Sequence, residues 1–265
     1  MNSAICRWLA VLAITGVATS ARAGDFCVDT VAELVSAVTA FNNQADGTVL
    51  TIKVVQGNYV VNGQLGATLS TFPRSVGLKV LGGYTAGCAS RSLNPANTII
   101  DGNNQANSAL HVVIHSDANA YIEGLTFTRM ASTQQAGALS IGSDVDTSDV
   151  AYFAIRHCRF TRNSGPSIVD LEGPQMRFIN NLVADNTVTG GGSAVQIRYA
   201  YNADSGAGID NNTIANNVGG GLNVELKNST VLDADLVIFD PDATFTVSAP
   251  FVHHRNKLTP YEGET

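Results

Sequence analysis

Two short patterns recur together four times between Ile122 and Val224, and internal repetition at that interval limits the chain to a stacked-repeat architecture. The first reads Ile122-Glu-Gly-Leu-Thr-Phe127, Ile155-Arg-His-Cys-Arg-Phe160-Thr-Arg-Asn163, Phe178-Ile-Asn-Asn-Leu-Val183-Ala-Asp-Asn186 and Ile209-Asp-Asn-Asn-Thr-Ile214-Ala-Asn-Asn217. The second follows each copy as an apolar, polar, apolar run: Leu139 to Ile141, Val169 to Leu171, Val195 to Ile197, Leu222 to Val224. Phe127, Phe160, Val183 and Ile214 stand 33, 23 and 31 residues apart; Leu139, Val169, Val195 and Leu222 stand 30, 26 and 27 apart. One coil of that length cannot bury its own apolar side chains, so coils must stack, and parallel stacking sets like positions about 4.8 Å apart. Each set of four residues is then expected to form one internal column, with the linking loops absorbing the differences in length.

Around the repeats the pattern is the same but fainter. Thr30-Val31-Ala32-Glu33 is a capping box, and Leu34, Val35, Val38 and Phe41 follow at helical spacing, which predicts one short helix. From Val49 onward, β-branched runs are broken by Gly, Asn and Asp: Ile52 to Val55, Tyr59 to Val61, Leu78 to Leu81, Thr98 to Ile100, Leu110 to Ile114. Asn tolerates left-handed backbone, and stacked Asn side chains hydrogen-bond from coil to coil. Ladders of Asn181 with Asn212, and of Asn163 with Asn186 and Asn217, are therefore expected.

The Phe-x-x-Asn of Phe160 to Asn163 and the Gly-Gly-Ser-Ala-Val of residues 191 to 195 resemble the paired repeats of right-handed β-helix proteins. They are similar to those of polymorphic outer membrane proteins and, by fold, to the pectate-lyase-like superfamily. The resemblance is clear over roughly residues 120 to 226 and extends more weakly to about Val49. It implies an all-β, right-handed parallel β-helix solenoid with an N-terminal capping α-helix at Val31 to Phe41. Met130 departs from the pattern at the first Asn position.

Residues 1–23 read as a secretory signal, with Arg7, an apolar run from Trp8 to Val17 and the small-x-small Ala21-Arg22-Ala23. Residues 24–47 are expected to form the cap, 48–240 the solenoid and 241–265 a tail or second cap. Export to an extracellular or periplasmic setting favours a disulfide. Cys27 and Cys88 lie in turn-like sequence outside the repeats and are expected to pair, leaving Cys158 as a free, inward-facing thiol. The net charge of −7 becomes −9 once Arg7 and Arg22 are removed, which disfavours nucleic acid and unbridged polyanions but not a neutral or cationic glycan. No stretch approaches the roughly 20 apolar residues of a membrane helix, so insertion into a bilayer is not expected.

The repeats specify fold strongly and chemistry weakly. In register, the outward residues Gly142, Glu172, Arg198 and Glu225 form one file and Glu123, Arg156, Ile179 and Asp210 another, expected to be surface charge ladders. Arg198, Tyr199 and Tyr201, beside Asn202 and Asp204, are the candidate residues for stacking a sugar ring. Asp144, Asp146 and Asp149 place carboxylates at alternating spacing, which suits Ca²⁺ but lacks a complete loop pattern; otherwise no cofactor is expected. Arg156, His157, Arg159 and Arg162 gather positive charge, with His157 expected to be a turn residue rather than a general base. No acid/base constellation of a pectate lyase or polygalacturonase is matched. The expectation is a secreted, non-catalytic β-helix that binds a glycan or another cell-surface component along its stacked face. The alternative is a small polysaccharide lyase or glycoside hydrolase.

Overall fold

The computed structural model describes residues 24–43, 47–63, 65–68, 77–105, 110–114, 119–133, 136–143, 152–173, 175–199, 207–226, 232–238 and 245–248. Every pairing between the described strands of the stack is parallel, and apart from the short pair Ser164–Gly165 and Thr187–Val188 the strands fall into three stacked files. The first file runs Asp25–Val28, Val49–Val55, Gly77–Tyr84, Asn119–Glu123, Tyr152–Arg156, Gln175–Ile179 and the start of Ala207–Ala215. The second runs Gly57–Val60, Thr98–Asp101, Thr126–Thr128, Arg159–Thr161, Leu182–Ala184 and the end of Ala207–Ala215. That last strand passes unbroken from the first file to the second, and Leu232–Ile238 pairs along its length. The third file runs Leu65–Thr68, Leu110–Ile114, Ala136–Ser143, Ser167–Glu172, Val195–Tyr199, Leu222–Leu226 and Phe245–Ser248. We number the coils from one, at Val49, to seven, at Leu232.

The expected columns are the observed ones. Phe127, Phe160, Val183 and Ile214 are direct neighbours in the second file, and Leu139, Val169, Val195 and Leu222 in the third. All eight are buried. Parallel in-register stacking puts each side chain against its equivalents above and below, so the Phe127 and Phe160 rings stack with centroids 5.2 Å apart and nearly parallel planes. Phe178 reaches the same ring from the first file, at 6.4 Å.

Two corners are made by single residues in the left-handed region. Between the first and second files these are Gly124, His157, Asn180 and Asn211; after the second file they are Arg129, Arg162, Asp185 and Asn216. The left-handed position is thus the residue before each ladder asparagine, which corrects the expectation that the ladder residues themselves take that conformation. The turn frees the next side chain to point inward, and Asn163, Asn181, Asn186, Asn212 and Asn217 are buried as a result. Each buried amide needs partners. Asn186 Nδ2 donates to Phe160 O at 2.9 Å, and Asn181, Asn212 and Asn217 reach back to Ile155, Phe178 and Val183 in the same way. Each Oδ1 accepts from the preceding coil, as Asn212 does from Asn181 N and Nδ2 at 2.9 and 3.1 Å. Cys158 and Met130 occupy the ladder positions one coil earlier, and their main-chain N–H groups donate to Asn181 and Asn163.

The helix Val31–Ala40 starts on the Thr30–Glu33 capping box and buries Leu34, Ala37 and Val38 against the first coil. Phe41 closes it, fully buried. Cys158 is free and buried, and burial pushes its thiol pKa up to about 12, so it is an inert core group rather than a nucleophile.

Candidate functional site

One insertion breaks the regularity of the coils. After Tyr84 the chain leaves the first file, makes the loop 85–97 and re-enters at Thr98. Six contacts fix that loop. A disulfide joins Cys88 to Cys27 on the first strand, with a Cα–Cα distance of 5.8 Å. Arg91 Nε donates to Gly82 O at 2.9 Å, its Nη1 pairs with Glu123 Oε2 at 2.7 Å, and its guanidinium lies 5.6 Å from the centre of the Tyr84 ring. Ser92 N donates to Gly83 O, and Thr126 Oγ1 donates to Pro95 O at 2.8 Å. Gly83, at φ 89, has the main chain of Ser92 so close that no side chain fits there.

The loop covers coil three and stops there. Arg91 lies over Gly124, and Pro95 over Thr126. The equivalent positions in the next coils are uncovered and form a groove of about 360 Å³. Its floor is two parallel files: the corner residues His157, Asn180 and Asn211, and the outward strand residues Arg159, Leu182 and Thr213. Leu93 and Pro95 line it from the loop side. Asn180 Nδ2 stands 3.4 Å from His157 Nε2, and His157 Nδ1 lies 3.5 Å from Glu123 Oε1. Among the described residues Arg159 has no ion-pair partner, and its Nε is buried without a hydrogen-bond partner. The groove is shallow and open to solvent, with one apolar wall and a few converging polar groups, so it suits a ligand laid along the surface rather than one enclosed in a pocket. His157 is a corner residue, as expected; its neighbours Asn180 and Asn211 were legible only as members of the repeat.

Arg198 lies elsewhere, on the outer face of the third file. Its Nη2 pairs with Asp170 Oδ2 at 2.8 Å and with Glu172 Oε2 at 3.1 Å. The file Gly142, Glu172, Arg198, Glu225 holds in register, but Asp170, from the adjacent outward file His111, Ser140, Asp170, Gln196, Asn223, is a second partner that the charge-ladder reading missed. Burial raises the Asp170 carboxyl pKa; Arg198 opposes this and Glu172 adds to it. The file Glu123, Arg156, Ile179, Asp210 is likewise in register, yet Glu123 pairs with Arg91, and Arg156 donates to the Tyr152 hydroxyl. Tyr199 ends its strand opposite Leu226. Tyr201, Asp144, Asp146 and Asp149 lie outside the described residues, as do residues 1–23. Among the described residues the paired aromatic side chains on an outer face are Tyr121 and Tyr152, 5.6 Å apart, with Lys79 Nζ 5.5 Å from the Tyr121 ring centre.

No group of three His, Cys, Asp or Glu among the described residues is placed to hold a metal ion, and none of the described helices is long and apolar enough to cross a membrane. The family model described as right-handed β-helix region matches residues 82–237, more than half of the chain. The chain belongs to this right-handed β-helix family, which gives the parallel stack its hand. No curated protein and no solved structure matches it.

Proposed function

We propose that this protein is an exported, non-catalytic β-helix that binds a glycan in the groove between the loop 85–97 and the second file. The observation that carries this is the pairing of a fixed apolar wall, Leu93 and Pro95, with a floor of stacked amide and hydroxyl groups, Asn180, Asn211 and Thr213. Sugars present apolar C–H faces and hydroxyl rims, so that combination suits them, and the stack repeats its hydrogen-bonding groups along an extended ligand. Export is supported by the disulfide, since such bonds persist in oxidising compartments.

The test is a glycan-array screen, followed by calorimetric titration of the best ligand and a parallel assay for new reducing or unsaturated chain ends. Asn180→Gly and Asn211→Gly keep the left-handed corners and remove the amides; together they should weaken binding about tenfold, the equivalent of 1.4 kcal/mol. New chain ends, or binding lost in Arg198→Ala but retained in the double variant, would overturn the reading.

A second reading rests on Asp170. A carboxyl with a raised pKa beside the carboxylate of Glu172 is the arrangement from which a glycoside hydrolase draws a general acid. Glycan hydrolysis that is abolished by Asp170→Asn with the fold intact would establish it in place of the first.

A further inference from the structure

The groove is closed at one end and holds an uncompensated cation next to the closure. Its two floor files both begin at coil four because coil three is occupied: Arg91 lies over Gly124, and Pro95 accepts from Thr126. Arg159 is the first open position of its file, directly beside Thr126 in register. The chain as a whole is acidic, and the other cations that fix this region are already paired: Arg91 with Glu123, and Arg129 with Asp101. Among the described residues the Arg159 guanidinium has no acidic partner, and burial of its Nε withdraws part of it from water. An unpaired guanidinium set in a concave, partly dry place is a receptor for an oxyanion, because its planar N–H groups match a carboxylate or sulfate in two-point contact.

Resting on the glycan reading above, we infer that the groove recognises a chain terminus rather than an internal stretch, and that the terminal residue carries an oxyanion. The loop 85–97 stops a ligand from running past coil three. The ligand's charged end meets Arg159 at that stop, and its next residues lie over Leu182, Asn180, Thr213 and Asn211. The net negative charge of the protein is consistent with this. It repels a long polyanion, whereas a single terminal charge is met locally by Arg159. Carboxylate and sulfate share the required chemistry, and the ligand set below separates them.

The experiment titrates the full chain with four tetrasaccharides of one backbone: neutral, acidic at the terminus as a uronic acid, sulfated at the terminus, and acidic at an internal residue. Terminally acidic ligands should bind at least tenfold more tightly than the neutral one, and the internally acidic ligand no better than neutral. Arg159→Gln should remove the preference while leaving weak binding of the neutral ligand, and Arg159→Lys should retain part of it. Unchanged circular dichroism and urea midpoints will show that both variants are folded. Raising the salt concentration should erode the preference in the parent protein and not in Arg159→Gln. Equal binding of internal and terminal acids overturns chain-end recognition, and a preference that survives in Arg159→Gln overturns the assignment of Arg159. Failure of all four ligands to bind overturns the glycan reading itself.

Discussion

Asn163 gives both its main-chain N–H and its side-chain amide to one atom, Oδ1 of Asn186, at 2.9 and 3.1 Å. Asn186 in turn holds Phe160 O through its Nδ2. Replacing Asn186 with Leu therefore strands a buried donor and a buried acceptor on the coil before it. At about 1–3 kcal/mol for each unsatisfied group, the expected loss exceeds about 2 kcal/mol. The reverse change is available at Cys158, whose Sγ is 3.7 Å from Ile122 O, where the ladder would place an amide. Cys158→Asn should extend the Asn181–Asn212 file by one rung and raise the urea midpoint; a fall would show that the site cannot admit the larger side chain.

Phe160→Ala removes a ring stacked on Phe127 and in contact with Phe178, from a column whose coils can close little along the axis. The expected cost is about 3–5 kcal/mol by urea titration. Arg198→Ala removes a half-exposed cation from two carboxylates and should cost about 1 kcal/mol. Equal, small losses in the two variants would mean that the Phe160 stack is not a core column.

Acid should destabilise the protein in two stages. Burial lowers the pKa of His111 below its ordinary 6.5, so its contribution is present above that value and is lost as pH falls through the folded-state pKa. Burial alone would raise the carboxyl pKa of Asp101, but hydrogen bonds from Arg129 and the Asn103 N–H, with the charge of Arg129, outweigh that and hold it below 3.8. Its contribution is present above 3.8 and is lost as pH falls further. His111→Gln should flatten the first stage, and Asp101→Asn the second, in denaturation series across pH.

Reducing the disulfide should loosen the wall of the groove as well as the fold. The bond spans a sequence separation of 61 residues, for which the chain-entropy model gives about 4 kcal/mol. The Cys27→Ala, Cys88→Ala double variant, studied below its lowered melting temperature, should lose glycan affinity while its β-sheet circular dichroism persists. Retained affinity would show that Arg91 and Pro95 hold the loop without the bridge.

Much of the fold was legible because a solenoid writes its contacts into the sequence at a fixed interval: Phe160 and Val183 are neighbours in space for the same reason that they are equivalent in the repeat. The disulfide could be read from Cys27 and Cys88 because both stand outside that pattern. The groove could not, because the residues that bound it belong to an insertion. Leu93 and Pro95 have no equivalents in other coils, and nothing in the sequence says that Pro95 lies over Thr126. Arg198 was singled out for its neighbours in the chain, while Asp170, its partner one coil earlier, stands 28 residues away.

The amide files are directional. Asn181 leans back on Ile155, and Asn212 on Phe178; in each pair the later coil completes the bonding of the earlier one. The stack therefore resembles masonry in which the last bonds of each course are closed by the one laid above it. Cutting the chain after coil five leaves the Asn181 and Asn186 amides awaiting a successor, whereas cutting after coil four strands only that of Asn163, because Cys158 holds the other position; successive truncations from the carboxyl side should therefore expose a defect that shrinks from two amides to one.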